Sequence, residues 1–305
     1  MKVLVAGASG AIGAPLISGL IAAGHQATGM TTKAAGIAAL HQQGAEAVLL
    51  NVLDADCVTR EIERMHPDAI IDELTSLPRQ YTPEEMRLAA PRDRQVRLEG
   101  GGNLLRAAVR AGVRRYLVQS TGFFYAPGEG FASETEQLAQ SASAGVAGAV
   151  ATYTEIERRL FGESSLDGVA LRYGFFYGPG TYYDPDIGSI AQQVRASQYP
   201  VVDPGSGISS FIHIEDAAVA TVAALEWSPG VYNVVDDNPS SLAVWLPAFA
   251  RFLGAPDPPR IPAEDTIRQY GPDAAYYALQ LRGASNAKAK GEFGFAPRPL
   301  EWLAD

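Results

Sequence analysis

The chain has 305 residues, of which 47% are hydrophobic and 19% charged, a composition that supports a large core and excludes a disordered chain or a disulfide-stapled miniprotein. Its net charge of -10 at pH 7 argues against nucleic-acid partners and anionic membrane surfaces. One cysteine, Cys57, and four scattered histidines predict no disulfide, no metal site and a reducing compartment. The first apolar run is too short for a signal peptide, and no stretch is long enough to span a bilayer, so we expect a cytoplasmic protein with no membrane partner.

Short apolar runs alternate with amphipathic helical stretches through the first half of the chain. The predicted strands are 3–6, 26–30, 47–50, 69–72, 116–119 and 169–173, and the predicted helices include 11–23, 55–65, 98–111 and 151–161. This alternation predicts an α/β fold of the Rossmann type, a doubly wound parallel sheet with helices on both faces.

Glycine and proline become frequent after Tyr173 and interrupt the alternation. We therefore predict a dinucleotide-binding domain over residues 1–176 and a smaller C-terminal substrate lobe over 177–305. Segment 208–237 is expected to return to the first domain, because it contains two more strand-like pieces. The Ala/Gly-rich segment 141–150 is expected to be a flexible approach to a helix.

A glycine-rich loop follows the first predicted strand and opens the first predicted helix. Its sequence supplies the expected phosphate contacts, Gly7, Ser9, Gly10, Ala11, Ile12 and Gly13. Glycine allows positive φ and lets backbone N–H groups approach a pyrophosphate, whose charge is stabilised by the N-terminus of a helix. The position of the loop between strand and helix predicts a dinucleotide cofactor.

The end of the second predicted strand favours NADP over NAD. An acidic residue about twenty positions beyond the glycine loop would bind the ribose hydroxyls of NAD, but this chain has no acid before Glu46. Thr31, Thr32 and Lys33 stand there instead and offer two hydroxyls and an ammonium to a 2′-phosphate.

Further motifs occur in order along the chain. They are Asn51-Val52-Leu53-Asp54, Ser120-Thr121, Leu171-Arg172-Tyr173, Tyr177-Gly178-Pro179-Gly180 and Phe211-Ile212-His213-Ile214-Glu215-Asp216. Together with the glycine loop they resemble the extended short-chain dehydrogenase/reductase family, including its epimerase and dehydratase branch. The resemblance implies further cofactor contacts at Asn51, Val52, Leu74, Ser120, Tyr173, Phe175 and Phe176. It also implies a homodimer through the 98–111 and 151–161 helices.

The catalytic helix departs from the family pattern. The family uses a Ser or Thr hydroxyl, a Tyr that exchanges a proton with the substrate, and a Lys four residues after that Tyr. Thr121 matches the hydroxyl residue, and Tyr153 is the candidate proton donor. Two registers stay open: either Ala149 and Tyr153 occupy the Tyr and Lys positions, or Tyr153 and Glu157 do. In neither register does a Tyr-x-x-x-Lys pair survive, so this chain is an atypical member.

Aromatic residues concentrate around the expected cleft and suit a flat apolar or aromatic substrate better than a sugar nucleotide. The predicted substrate contacts are Phe123, Tyr125, Tyr182 and Arg282, the last as a partner for an anionic group. A diphosphate substrate would need basic residues in the second lobe, where the candidates are few: Arg195, Arg251, Arg260, Arg268 and Arg282. The arginines between positions 92 and 115 are interleaved with acids and are expected to form a solvated helix face.

These observations predict an NADP(H)-dependent oxidoreductase that transfers hydride to or from a small, apolar or aromatic carbonyl, imine or quinone. Two alternatives stay open: a nucleotide-sugar epimerase or dehydratase with retained NAD, and a non-catalytic NADP(H) sensor. The missing lysine favours the sensor, whereas the aromatic cleft and the retained Thr121 favour the reductase.

Overall fold

The computed structural model describes residues 1–304. Its strands are β1 (Lys2–Ala6), β2 (Gln26–Thr31), β3 (Glu46–Leu49), β4 (Ala69–Asp72), β5 (Arg115–Thr121), β6 (Asp167–Tyr173), β7 (Phe175–Tyr177), β8 (Val201–Asp203), β9 (Ile208–Ser209), β10 (Phe211–His213), β11 (Gly230–Val234), β12 (Ser240–Ser241) and β13 (Arg260–Pro262). Its α-helices are α1 (Gly13–Ala22), α2 (Ala34–Gln42), α3 (Ala55–Met65), α4 (Pro83–Gln95), α5 (Gly101–Arg110), α6 (Ala144–Gly162), α7 (Ser189–Arg195), α8 (Ile214–Ala223), α9 (Leu242–Phe252), α10 (Ala263–Tyr270), α11 (Pro272–Leu279) and α12 (Ala287–Phe293).

Seven strands form one parallel sheet in the order β11-β6-β5-β4-β1-β2-β3. The order reverses between β1 and β4, and ligands of doubly wound sheets bind at such a switch point, beyond the carboxyl ends of the strands. The predicted Rossmann-type fold is confirmed. Of the two strand-like pieces predicted in 208–237, β11 joins this sheet, whereas β10 pairs with β7 in a separate two-stranded sheet.

Apolar side chains on the two faces of the sheet form two separate cores. One core contains Val3, Val5 and Leu16 and includes side chains of α1 and α8, while the other contains Leu4, Ile70 and side chains of α3 and α5. Alternate residues of β1 therefore face opposite helix layers, as expected for a strand buried on both sides.

The C-terminal part of the chain builds its own core outside the main sheet. Side chains from α7, α9 and the last residues surround Phe211, Trp245 and Trp302, and β8, β9, β12 and β13 belong to small two-stranded sheets. Within residues 1–304, no helix is long and apolar enough to cross a membrane. The same residues contain no group of His, Cys, Asp and Glu side chains that could hold a metal ion.

Two helical segments differ from the sequence prediction. The 141–150 segment is not a flexible approach, because α6 begins at Ala144 and buries Val146 and Val150. The helix predicted over 98–111 is preceded by α4, and a five-residue π-helix, Val96–Gly100, joins α4 to α5. The first residues of α6 are mostly small, so its amphipathic pattern is weak there and the sequence did not predict this part of the helix.

Candidate active site

The glycine loop is shaped by close backbone approaches that exclude a side chain at two positions. Gly7 has a φ of +84°, and a Cβ there would lie 2.3 Å from the carbonyl oxygen of Glu73. A Cβ on Gly13 would lie 2.1 Å from the carbonyl oxygen of Ala8. Gly10 donates its N–H to the Gly7 carbonyl at 2.8 Å, which closes the turn before α1.

The exposed part of this loop fits a phosphate group. Ser9, Gly10 and Ala11 are exposed, Ile12 precedes α1 with its side chain buried, and α1 has no side-chain cap and no acidic residue in its first turn. The Gly13 N–H donates to the Gly10 carbonyl at 3.1 Å, which leaves the N–H groups of Ala11 and Ile12 available to an anion. An open cavity of about 500 Å³ lies beside the loop and is also lined by Pro179. These features fit the pyrophosphate of a dinucleotide.

The end of β2 offers one exposed cation. Thr31 is buried, and its Oγ1 accepts a hydrogen bond from the Lys33 N–H at 3.3 Å. Thr32 and Lys33 are exposed, and no acid within residues 1–304 forms an ion pair with the Lys33 ammonium. The ammonium is thus free to contact an anionic group.

The next three predicted cofactor contacts have different surroundings. Asn51 is exposed, and its Oδ1 accepts a hydrogen bond from the Leu53 N–H at 3.2 Å. Val52 is buried beneath α5, and its carbonyl accepts a hydrogen bond from Asn103 at 2.8 Å. Leu74 is also buried, although it follows β4 at the edge where the cofactor is expected. Of the three, only Asn51 presents its side chain to solvent.

Thr121 and Tyr153 come from two elements that pack against each other. Thr121 ends β5 and is buried, and its hydroxyl accepts only a long 3.5 Å hydrogen bond from the Phe123 N–H. Tyr153 lies half-buried on α6, which packs against β5. Burial raises the pKa of the Tyr153 phenol, and the positive charge of Arg97 opposes that shift. Tyr153 is therefore protonated at neutral pH and suited to donate a proton rather than accept one.

Two buried carboxyl groups lie at the carboxyl end of β4, and the sequence prediction missed both. Tyr116 donates a hydrogen bond to Asp72 at 2.9 Å, and Tyr173 donates one to Glu73 at 2.9 Å. The second oxygen of Glu73 is buried without a hydrogen-bond partner. Burial raises the pKa of Glu73 to about 8 and also raises that of Asp72. An acidic pair directly after an apolar strand was the signal that could have revealed them.

A buried polar network joins α6 to β5 and β6. Arg172 forms a two-pronged ion pair with Glu157, at 2.8 and 2.7 Å, and donates to the Tyr125 hydroxyl at 2.9 Å. Ser120 donates to Glu157 at 2.6 Å, and Tyr125 donates to Asn233 at 2.6 Å. Glu157 is thus held in this ion pair whether Tyr153 or Glu157 occupies the lysine position of the family pattern.

Three of the residues predicted as contacts have hydroxyls that are hydrogen-bonded inside the protein. The Tyr125 hydroxyl, from a residue predicted as a substrate contact, is fully buried and paired with Asn233. The Ser120 hydroxyl is held by Glu157, and the Tyr173 hydroxyl lies between Glu73 and Thr221, at 2.9 and 2.6 Å. The hydroxyls of Ser120 and Tyr173 therefore stabilise the protein interior.

Arg282, predicted as a partner for an anionic substrate group, is engaged by protein groups. Its guanidinium is buried and donates to the carbonyls of Ala126, Glu129 and Gly130 and to the Glu136 carboxylate. All these partners belong to the 126–136 loop, so Arg282 fixes that loop to the C-terminal part of the chain. The guanidinium donors of Arg282 are therefore used within the protein.

Half-buried aromatic rings form one wall beside Tyr153. Phe123 stacks on Phe175 with ring centroids 4.3 Å apart, and Tyr277 packs against Phe175 at 6.2 Å. Phe176 packs against Tyr173 at 5.1 Å on the other side of the strand. Phe123, Phe175 and Tyr277 are each only partly buried.

A second aromatic pair joins the main sheet to the C-terminal lobe. Tyr81 follows β4 and packs against Tyr182 at 5.1 Å, and the Tyr182 hydroxyl donates to the Pro78 carbonyl at 2.5 Å. The sequence prediction named Tyr182 but not Tyr81 or Tyr277.

A glycine loop open to an anion, a switch point in a doubly wound sheet, and hydroxyl groups on β5 and α6 define an NAD(P)-dependent enzyme of the short-chain dehydrogenase/reductase type. The chain belongs to the NAD dependent epimerase/dehydratase family, whose model matches residues 3–234. This match confirms the resemblance inferred from the motifs.

Individual relatives include enzymes of two kinds. A Streptomyces protein named 3-diazoavenalumate denitrifying reductase is 37% identical over 307 aligned positions, which cover 99% of this chain and 98% of that protein. A UDP-glucose 4-epimerase from Mycolicibacterium smegmatis is 27% identical and covers 85% of each chain. The structure of the Thermus thermophilus UDP-glucose 4-epimerase complexed with NAD is similar, with a TM-score of 0.75 at 25% identity, covering 98% of this chain and 94% of that one.

Proposed function

We propose that this protein is an NADP(H)-dependent reductase of a small, apolar or aromatic substrate with a carbonyl, imine, quinone or diazo group. The observation that carries the proposal is the half-buried aromatic wall of Phe123, Phe175 and Tyr277 beside Tyr153. The diazo group is included because the Streptomyces relative is named for a diazo substrate. When bound, NADPH would supply the hydride.

The arginines of the C-terminal lobe argue against a diphosphate-carrying substrate. Three of the five candidates already pair with acids: Arg260 with Asp203, Arg268 with Asp265, and Arg282 with Glu136. A sugar nucleotide would leave its diphosphate without these partners. The aromatic wall offers contacts to rings rather than to charged oxygens.

The chain's own residues are assigned as follows. The backbone N–H groups of Ser9, Ala11 and Ile12 hold the pyrophosphate, and Lys33 contacts the 2′-phosphate. Thr121 holds the substrate atom that gains the proton, and Tyr153 donates that proton through its hydroxyl. Positioning of the substrate against the cofactor contributes more to the rate than proton delivery does. The reaction therefore tolerates the absence of the family's lysine.

Turnover tests the proposal directly. Purified protein is incubated with NADPH and a panel of small carbonyl, imine, quinone and diazo compounds, and NADPH oxidation is followed by absorbance. We expect turnover with at least one aromatic member. No turnover with any compound supports the sensor alternative. NAD that stays bound through purification, together with interconversion of a UDP-sugar, supports the epimerase alternative and refutes the proposal.

Cofactor choice is tested separately by calorimetric titration. NADPH should bind more tightly than NADH, and Lys33→Ala should weaken NADPH binding by about 1.5–3 kcal/mol because a charge-assisted phosphate contact is lost. Lys2→Ala is the matched control, since Lys2 is an exposed lysine at the start of β1. Equal affinities for both cofactors, or unchanged NADPH binding in Lys33→Ala, would contradict the assignment.

A further inference from the structure

Arg97 is a buried cation in an irregular helical turn. It lies in the π-helix Val96–Gly100, and its side chain is only 4% exposed. Its guanidinium carbon lies 5.0 Å from the centroid of the Tyr153 ring. The sequence had suggested a solvated position for this arginine, and the structure corrects that expectation. Single π-helical turns are frequent at functional sites because they redirect side chains.

Partners from neighbouring elements fix the guanidinium over the ring. Arg97 donates from Nε to Asp93 at 2.8 Å and from Nη1 to Gln119 of β5 at 3.2 Å. Asp93 also accepts a hydrogen bond from the Ser76 N–H at 2.6 Å, which ties this ion pair to the segment after β4. Arg97 is thus held from α4 and β5, and burying it costs free energy that these contacts offset.

The charges that face Tyr153 come from several elements. Arg97 of the π-helix lowers the pKa of the phenol, whereas burial, Asp93 of α4 and Glu73 after β4 raise it. Tyr277 of α11 also lies close enough for the two phenols to influence each other. On α6 itself, Glu157 is paired with Arg172. Arg97 is therefore the cation acting on Tyr153 in a mostly acidic and apolar setting.

We infer that Arg97 is a positioning residue that acts through Tyr153, supplying from the neighbouring helix the positive charge that the family's missing lysine would have provided. The inference rests on the proposed proton donation. In that step the Oη–H bond of Tyr153 breaks, the proton passes to the substrate oxygen or nitrogen, and the electron pair stays on the phenolate oxygen. Arg97 stabilises that phenolate until water returns the proton.

Ionisation of Tyr153 can be measured without any substrate. A fluorinated tyrosine, whose phenol ionises at lower pH, is incorporated at position 153 and titrated by ¹⁹F NMR. Arg97→Gln should weaken the acidity of this phenol by roughly tenfold because a charge 5.0 Å from the ring is lost. Arg97→Lys keeps the charge and should restore most of the acidity. Arg94→Gln is the control, since Arg94 binds Thr152 of α6 at 2.6 Å but is not stacked on Tyr153.

If Arg97→Gln does not fold, a second variant can be titrated in its place. Asp93→Asn removes a negative charge that faces Tyr153 and should make the phenol more acidic, the opposite shift. An unchanged or more acidic phenol in folded Arg97→Gln, or an unchanged phenol in Asp93→Asn, would overturn the inference.

Measurements of enzyme activity then distinguish a failure of this inference from a failure of the proposed function. With an active substrate, Arg97→Gln should lower kcat by roughly tenfold, leave KM nearly unchanged and move the alkaline limb of the kcat profile upward. An equal loss of kcat in Arg97→Lys would indicate a structural role. If no substrate is found, the proposed function fails while the NMR titration still decides whether Arg97 acts on Tyr153.

Discussion

Tyr153 carries the proposed chemistry with a hydroxyl that no group within residues 1–304 engages by a hydrogen bond. Tyr153→Phe keeps the ring and removes only that hydroxyl. We expect kcat to fall by about 10²–10⁴-fold, while NADPH affinity stays nearly unchanged. Steady-state kinetics and calorimetry measure the two effects. Tyr232→Phe is the control, because the Tyr232 hydroxyl binds the Ser228 carbonyl away from the cleft. Full kcat in Tyr153→Phe would rule out proton donation by this residue.

Glu73 makes the stability of the protein depend on pH. Its pKa is raised from 4.5 to about 8 in the folded state, so the folded protein keeps this proton over a range where the unfolded chain has lost it. Unfolding then releases a proton, and the unfolding free energy falls by up to about 1.4 kcal/mol per pH unit as pH rises from 4.5 to about 8.

Glu73→Gln removes this contribution. The variant should therefore gain stability relative to the wild type between pH 5 and pH 8, as measured by urea denaturation of the cofactor-free protein at both pH values. Glu46→Gln alters an exposed carboxyl at the start of β3 and should leave the wild-type pH dependence intact. The same pH dependence in Glu73→Gln and the wild type would show that Glu73 ionises normally in the fold.

At the scale of elements, the Glu157–Arg172 pair joins α6 to β6 in the protein interior. Glu157→Gln leaves the Arg172 charge without its partner, and breaking a buried pair in this way costs about 3–5 kcal/mol. Chemical denaturation measures the loss. Glu155→Gln changes the same helix on its exposed side, where Glu155 pairs with Arg158 and Arg159, so its effect on stability should be small. Equal effects of the two substitutions would contradict the buried role of Glu157.

At the scale of the molecule, Arg282 joins the 126–136 loop to the C-terminal part of the chain. Arg282→Met removes its hydrogen bonds to this loop and should lower stability by about 1.5–3 kcal/mol. It should also speed amide exchange in residues 126–136, which hydrogen-exchange mass spectrometry can detect. Arg268→Met, an exposed arginine of α10, should do neither. Unchanged exchange in the loop would contradict the role of Arg282 in holding it.

The order of the molecule's elements and the position of its cofactor loop could be predicted from the sequence. Strand alternation is a local pattern, because burial on both faces makes each strand an apolar run, and β4 was predicted with the bounds that the structure shows. Gly13 is a local signal too, since the approach that requires it is to Ala8 within the turn, and Gly7 has the positive φ of the turn although its close contact is to Glu73 of a different strand end. The dimer through the 98–111 and 151–161 helices and the division at residue 176 stay predictions.

The roles of the polar side chains depended on the tertiary structure. Arg97, Tyr125 and Arg282 are residue types that serve equally well on a surface, in a site or in a buried pair, and only their partners decide among these roles. Several of those partners are distant in sequence: Arg282 binds Glu136, 146 residues away, and Tyr125 binds Asn233, 108 residues away, although Arg97 also pairs with Asp93 of the preceding turn. The sequence thus determined the sheet and its phosphate loop, because both follow from local periodicity and backbone conformation. Folding alone decided which charges are buried and which of them face Tyr153, because desolvation and Coulomb energy depend on distances that the sequence does not contain.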